Sequence, residues 1–361
     1  MDILGPIYYW NLQRAMRRER IFRDRINPLD KYDDVDFKYR YRFSRDVVLD
    51  LIDEFKDDIE GAFFRNTDIS PTFQILLALR FFATGSFQRT AGDLHGVSIA
   101  TAHRIIHRVA RVIAMRKNRY VNFPSREEYE QVKADFFAIA GFPNVIGAID
   151  CTHIKITKPR QDDAVRFINR KGVYSINVQL VVDANYRITS IVARWPGGTH
   201  DSRILENSNL INTLQGLAGS YVLGDAGYAL AHYIMTPLRN PNTNQETHYN
   251  VVHSRTRIVV ERAIGIWKRR FPVLQDPIRT HLDNTFVIIV AAAVLHNIAL
   301  ARDRALPDDA QEVDNNDGNN VGNNDDNEDV PPPLGSTWQR NKKKLDRKRI
   351  MVTILLINQS R

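Results

Sequence analysis

The chain has 361 residues, 50 Lys and Arg against 42 Asp and Glu, a formal charge of +8 and 43% hydrophobic residues. That is enough for two domains with tails and for real buried cores. The longest apolar stretch, Phe286 to Leu295, is ten residues, far short of the roughly 20 that a spanning helix needs. The Arg-rich, mixed start does not read as a secretory signal. The single Cys151 excludes an internal disulfide and fits a reducing compartment. It reads as a small buried residue rather than a nucleophile.

Charge is segregated. Residues 305–335 hold nine acids and no Lys or Arg, so the remainder carries +17. A basic body of that kind suits a polyanionic partner, without saying how sequence would be read.

Residues 1–43 form a basic N-terminal arm, with Arg14, Arg17, Arg18, Arg20, Arg23 and Arg25 close together. A DNA-contacting arm, a targeting signal and a solvated helix face all fit it. Residues 44–140 read as helical. Ser44 is a plausible N-cap for a helix to about Phe55. Ser70-Pro71 starts a second helix that Gly85 ends. A short helix spans about Phe87 to Leu94, Gly96 makes a turn, and Ser98 caps a helix from Ile99 to Met115. In the last, Ala102, Ile105, Ile106, Val109, Val112 and Ile113 recur at helical spacing. His103, Arg104, His107, Arg108 and Arg111 fall on the opposite arc. This is the logic of a helix-turn-helix, with Arg104, Arg108 and Arg111 as candidate DNA contacts. An ordinary bundle with a solvated basic face is the alternative.

From residue 141 to 302 the pattern is α/β. Expected strands are Val145–Ile149, Ser175–Val182, Ile188–Trp195 and Tyr221–Leu223, with helices from Asp201 to about Leu210, Ile258–Phe271 and Phe286–Ala299. Pro237–Val252 reads as a loop-rich excursion. The order implies a sheet of mixed strand direction. Residues 303–335 form an Asp/Asn-rich acidic linker expected to be disordered. Residues 336–361 are a basic tail with Lys342–Lys344 and Arg347–Arg349, a nuclear-import signal or a charged helix face.

Four carboxylates stand out. Asp150 closes the first strand, Asp201 follows Thr199-His200, Asp225 follows the fourth strand, and Glu261 borders the apolar stripe of a helix. An acid closing an apolar run is costly to desolvate unless a cation meets it. Mg²⁺ or Mn²⁺ suits such oxygens and leaves positions for phosphate. A lone glutamate on a helix is normally a salt-bridge partner, here of Arg257 or Arg262. Asp201 also fits a plain helix N-terminal acid. Lys268, two turns beyond Glu261, is placed to reach a substrate phosphate.

At these positions the chain resembles the PIF/Harbinger transposases and the Harbinger transposase-derived nucleases of animals. The segments that carry the resemblance are Gly147-Ala-Ile-Asp-Cys-Thr-His153, Asn169-Arg-Lys-Gly-Val-Tyr-Ser-Ile-Asn-Val-Gln179, Trp195-Pro-Gly-Gly-Thr-His-Asp-Ser-Arg203, Leu223-Gly-Asp-Ala-Gly-Tyr228, Tyr249-Asn-Val-Val-His253, Val260-Glu-Arg-Ala-Ile-Gly-Ile-Trp-Lys-Arg-Arg-Phe271 and Leu295-His-Asn297. They run in order over about residues 30 to 300. One departure is Ile264, where the family usually has an aromatic; it touches packing rather than chemistry.

The resemblance implies an RNase H-like core and two-metal DDE cleavage of DNA. Asp150, Asp225 and Glu261 would be catalytic, and Asp150, Asp201, Asp225 and Glu261 would hold Mg²⁺ or Mn²⁺, Asp201 directly or through water. It also implies a Myb/SANT-like DNA-binding partner and a nuclear location, with the cytoplasm also open. The competing reading is a catalytically silent DNA-binding scaffold or regulator. An aspartic protease is excluded, since no Asp-Thr/Ser-Gly pair exists.

Overall fold

Helix starts in the first half of the chain are written in Asn, Asp, Ser and Pro. In the computed structural model, which describes residues 27–60, 69–160, 163–217 and 219–303, Asn27 caps α1 (Pro28–Lys31) and Asp33 caps α2 (Asp34–Tyr41). Then come α3 (Arg45–Glu60), α4 (Pro71–Thr84), α5 (Gln88–Leu94) and α6 (Ile99–Met115). Ser70 and Ser98 accept hydrogen bonds from the N–H groups of Phe73 and Thr101, satisfying donors that a helix start leaves open. Gly85 stops α4 with φ +62, and a Cβ there would lie 2.9 Å from the Pro272 carbonyl oxygen. Both facts require glycine. The Arg14–Arg25 run, the acidic 305–335 stretch and the Lys342–Arg349 cluster lie outside the described residues.

The expected solvated arc of α6 is only partly solvated. His103, Arg104 and Arg111 are exposed, but His107 is buried and Arg108 half-buried. Arg108 donates to Gln74 Oε1 at 3.0 Å and Arg111 to Asn284 Oδ1 at 2.9 Å. The reason is tertiary: α6 is wedged between α4 and the last long helix, so its second half meets protein on two sides.

After α7 (Lys117–Tyr120) and α8 (Tyr129–Ala140) the sheet begins. It holds β1 (Val145–Lys155), β2 (Ser175–Val182), β3 (Ile188–Pro196), β4 (Tyr221–Leu223) and β5 (Ile234–Met235), in the order β3-β2-β1-β4-β5. The β1–β2 and β2–β3 pairs are antiparallel; β1–β4 and β4–β5 are parallel. Between β3 and β4 lie α9 (Asp201–Glu206) and α10 (Leu210–Gln215), so the single helix expected from Asp201 breaks at Asn207. There the Asn207 amide caps back onto the Arg203 carbonyl.

Two further expectations are corrected. Asp150 does not end a strand. β1 runs on to Lys155 because β2 continues to pair with it, Asp150 opposite Leu180 and Lys155 opposite Ser175. The loop-rich excursion is shorter than expected, since α11 (Asn244–Arg270) starts at Asn244 and absorbs the helix expected from Ile258. Thr243-Asn-Gln-Glu246 has the spacing of a capping box and marks this start: Thr243 Oγ1 accepts from the Glu246 N–H, and Glu246 Oε2 accepts from the N–H of Asn242, one residue before the cap.

The last helix, α12 (Leu282–Arg302), is long and apolar enough to span a membrane by length and composition, yet 67% of its apolar window is buried in the protein. It packs on both α6 and β3. One continuous apolar core therefore runs from Phe37 to Ala299. Asn297 fixes its end of the sheet: its side chain accepts from the Ile188 N–H and donates to the Ile188 and Tyr120 carbonyls. His296, fully buried, holds the Tyr186 carbonyl at 3.0 Å. Tyr249 and His253 likewise hold the Thr236 and Met235 carbonyls, pinning β5. The Tyr249–His253 and Leu295–Asn297 segments are thus structural clamps.

Candidate functional site

The register of the two parallel strands places the first two acids. Ala148 of β1 stands opposite Leu223 of β4, and Asp150 and Asp225 each lie two residues further on. Asp225 therefore lies just past the end of β4, level with Asp150 in β1, which continues beyond it. Asp225 is held by its own turn: its Oδ1 accepts from the Gly227 N–H at 3.0 Å. Asp150 Oδ1 accepts from the Cys151 N–H at 2.8 Å.

The third acid comes from α11. This helix buries Val252, Thr256, Val259, Val260, Ala263 and Trp267, which turns Glu261 outward at the border of the buried stripe. One turn earlier, Arg257 closes the group. Its guanidinium donates to Asp150 Oδ2 at 3.2 Å and to Glu261 Oε1. Arg257 was visible in the sequence only as a partner for Glu261. That it also reaches Asp150 depends on how α11 lies over β1. The signal that pointed to it is the i,i+4 spacing of Arg257 and Glu261 on one helix face.

The carboxyls feel one another. Burial pushes Asp150 up to about 6, Arg257 opposes this, and Asp225 and Glu261 add to it. Asp225 is also raised, first by burial and then by Asp201, with Glu261 contributing. Asp150, Asp225 and Glu261 thus act on one another, and Asp201 acts on Asp225. Clustered carboxylates of this kind disfavour their own ionisation, and a site that holds them calls for a cation. Oxygen donors alone are the set a hard divalent ion takes. Among the described residues, no three acid, His or Cys side chains stand close enough to enclose an ion as placed. Arg257 spans the gap between Asp150 and Glu261.

Asp201 approaches from the other face of the sheet. Strand alternation sets Cys151 and His153 of β1 and Asn177 and Gln179 of β2 on that face. Asn177 Nδ2 donates to Asp201 Oδ1 and to the Thr199 carbonyl, both at 2.9 Å, so it aims the acid. Asn177 Oδ1 and both amide atoms of Gln179 are buried without a hydrogen-bond partner. The loop before Asp201 is shaped by Gly197, where a Cβ would lie 2.3 Å from Ser175 Oγ and 2.7 Å from the Phe167 carbonyl. Only glycine lets this loop lie against residues 166–168. Cys151 Sγ meets the Tyr228 hydroxyl at 3.3 Å, and burial with nearby Asp201 pushes the thiol well above its ordinary range. It is a partly buried thiol packed against the core, less enclosed than the sequence suggested.

Lys268 lies two turns beyond Glu261 on α11. Its Nζ donates to Thr152 Oγ1 at 2.7 Å and to the His153 carbonyl at 3.0 Å. Burial, with Lys155 nearby, lowers it to about 8. Arg104, Arg108 and Arg111 belong to α6. Arg108 and Arg111 are engaged there by Gln74 and Asn284 rather than by the carboxylates.

The family described as DDE superfamily endonuclease matches residues 149–297, the stretch from Ile149 to Asn297 that contains all four acids. The proteins named "Putative nuclease HARBI1" of Bos taurus and Homo sapiens are each 34% identical over 281 residues, covering 75% of this chain and 80% of theirs. A protein of Arabidopsis thaliana named Antagonist of like heterochromatin protein 1 is 29% identical over 247 residues, covering 63% of this chain and 62% of its own. No solved structure matches the chain.

Proposed function

The chain belongs to the DDE superfamily endonucleases, with the Harbinger-derived nucleases and their plant relatives, and on that premise we propose that it is a divalent-metal-dependent DNA endonuclease. One observation carries the proposal. Asp150 within β1 and Asp225 just past the end of the parallel β4 lie level with each other, and Arg257 ties Asp150 to Glu261 of the overlying helix, with Lys268 bonded to Thr152 two residues beyond Asp150. The strand order, three antiparallel strands followed by two parallel ones, supports an RNase H-like core. The α4–α6 arrangement supports a helix-turn-helix-like unit within residues 44–140, with Arg104 exposed on it.

Asp150, Asp225 and Glu261 are the residues that would hold Mg²⁺ or Mn²⁺, with Asp201 adding a ligand directly or through water. An ion held there supplies Lewis-acid activation of the phosphodiester and of water. The chain's own residues do the rest. Arg257 fixes the relative placement of Asp150 and Glu261. Lys268 presents a half-buried positive charge to a substrate phosphate. Asn177 holds Asp201 toward Asp225. The proposal extends to a nuclear protein working with a Myb/SANT-like DNA-binding partner, which the family resemblance implies.

A catalytically silent, DNA-binding regulator is the second reading. It is favoured by Arg257, whose guanidinium already bridges two of the acids, and by the regulatory name of the plant relative. Nicking of supercoiled DNA in Mg²⁺, Mn²⁺ or EDTA separates the two. The nuclease reading expects metal-dependent nicking that is lost in D150N, D225N and E261Q. Wild-type cleavage by all three variants would refute the site. DNA binding without nicking in either metal would leave the regulator.

A further inference from the structure

Beside the carboxylates and Lys268 lies a further group of cationic side chains, Lys155, Arg170 and Lys171, that the proposed reaction does not use. β1 ends at Lys155, whose strand partner is Ser175 at the start of β2. The turn just before β2 carries Arg170 and Lys171. Asn169 shapes this turn, with its Oδ1 accepting from the N–H groups of Lys171 and Val173, and Gly172 closes it at φ +72. The loop tightened by Gly197 brings His200 to it, with Arg170 3.5 Å from His200 Nδ1.

His153 marks where the two groups meet. Its ring sits 3.1 Å from Ser175 Oγ, and it feels both Asp201 and the cations Lys268, Lys171 and Arg170. Lys155 in turn acts on Lys268. Lys155, Arg170 and Lys171 are exposed, at the end of β1 and in the turn that leads into the strand paired with it, and Lys268 is bonded to the His153 carbonyl two residues before Lys155. Among the described residues, no carboxylate lies within ion-pair distance of Lys155, Lys171 or Lys268, whereas Arg166 in the same region is paired with Asp163. Lysines gathered in this way repel one another, and an arrangement of this kind is suited to an external polyanion.

We propose that the end of β1 and the 169–172 turn form a cationic bank that grips the sugar-phosphate backbone of duplex DNA beside the scissile position, with Lys155, Arg170 and Lys171 as its phosphate contacts. The proposal rests on the nuclease reading for its choice of polyanion. The bank would fix the register of the duplex against the carboxylates without reading sequence, since phosphate contacts position and base contacts specify. A rigid strand end and a turn held by its own side-chain bonds are suitable mounts for such contacts. The long rotamer-rich side chains are then the only parts to be ordered on binding.

The test is anisotropy of a labelled duplex of about 30 base pairs, long enough to span several phosphates on each strand, titrated in EDTA over a range of salt. The proteins are the full chain, the triple variant K155A/R170A/K171A, the single variant K171A and the control K133A. Lys133 lies on α8 and pairs with Glu130. The triple variant should bind about tenfold or more weakly at moderate salt. Its log–log salt slope should shrink by about 0.9 for each phosphate that is no longer neutralised. K171A should show about one such step, and K133A none. K171A guards against a misfolded triple variant, because the turn is held by the Asn169 side chain and not by that of Lys171.

Wild-type affinity and slope in a natively melting triple variant, or in K171A, would overturn the proposal. Binding in EDTA does not depend on cleavage, so the two readings fail separately. Loss of binding by the variants together with a wild type that never nicks would sink the nuclease reading and keep the bank. Metal-dependent nicking together with an unchanged salt slope would do the reverse.

Discussion

Replacing Asp150 by Asn should abolish cleavage and at the same time make the protein more stable. The side chain of Asp150 is 18% exposed, and burial pushes its carboxyl from an ordinary 3.8 to about 6 in spite of Arg257. Keeping such a group ionised at pH 7.5 costs about 3 kcal/mol relative to the unfolded chain. Asn keeps one oxygen for the Cys151 N–H, but its NH2 takes the place of the Oδ2 that accepts from Arg257 and offsets part of this. The net gain should therefore be about 1–3 kcal/mol. For a chain of this size that is about 1–2 °C in Tm per kcal/mol. The sign depends on pH. The folded carboxyl is the weaker acid, so the cost is absent below about pH 4, grows between about 4 and 6, and is constant above. D150N should melt higher than wild type at pH 7.5 in EDTA and together with it near pH 4, provided both remain folded there. Scanning calorimetry at the two pH values checks this. A D150N that melts at or below wild type at pH 7.5 would refute a carboxylate held against its own preference. It would make Asp150 an ordinary ion-pair partner of Arg257.

The other predictions concern groups on both sides of the core. Lys268, lowered to about 8, should lose its charge as pH rises from 7 to 9, so duplex affinity should fall over that range in wild type but not in K268R, whose guanidinium stays charged; equal pH profiles in anisotropy would exclude Lys268 from binding. His296 is fully buried and lowered to about 3, so it stays neutral in the fold while the unfolded chain takes up a proton below 6.5. Its contribution is therefore present above pH 6.5 and lost as pH falls, by about 2 kcal/mol at pH 5; H296Q should flatten that part of the urea-midpoint profile, and an identical profile would count against it. N297A removes the partners of the Ile188 N–H and C=O and of the Tyr120 carbonyl. It should cost about 2–4 kcal/mol in urea unfolding, and a loss under about 1 kcal/mol would mean that water replaces the clamp.

Much of the fold was legible because local rules were obeyed. Ser70-Pro71, Gly85 and Ser98 set helix boundaries that the structure keeps, since caps act over three or four residues and need no tertiary partner. The strands Ser175–Val182 and Tyr221–Leu223 were equally plain as short β-rich, apolar runs. The start of α11 was also written in the chain, in Thr243-Asn-Gln-Glu246, but the polar, Asn-rich run around it reads first as loop. β5, two residues long, has no pattern to recognise; it exists because β4 and the Tyr249 and His253 clamps hold it.

The chain by itself singled out the acids proposed to carry the chemistry, because an acid following an apolar run is conspicuous wherever the run folds. The tertiary structure decided what those residues face. β1 extends past Asp150 only because β2 is there to pair with it, so the acid lies beside the end of β4 and level with Asp225. His107 and Arg108 looked solvated on a helical wheel and are covered or half-covered because α4 and α12 flank their helix. Arg257 reaches Asp150 across 107 positions of sequence. No periodicity encodes that distance: it follows from the angle at which α11 crosses the sheet, which the packing of Val260, Ala263 and Trp267 against the core sets.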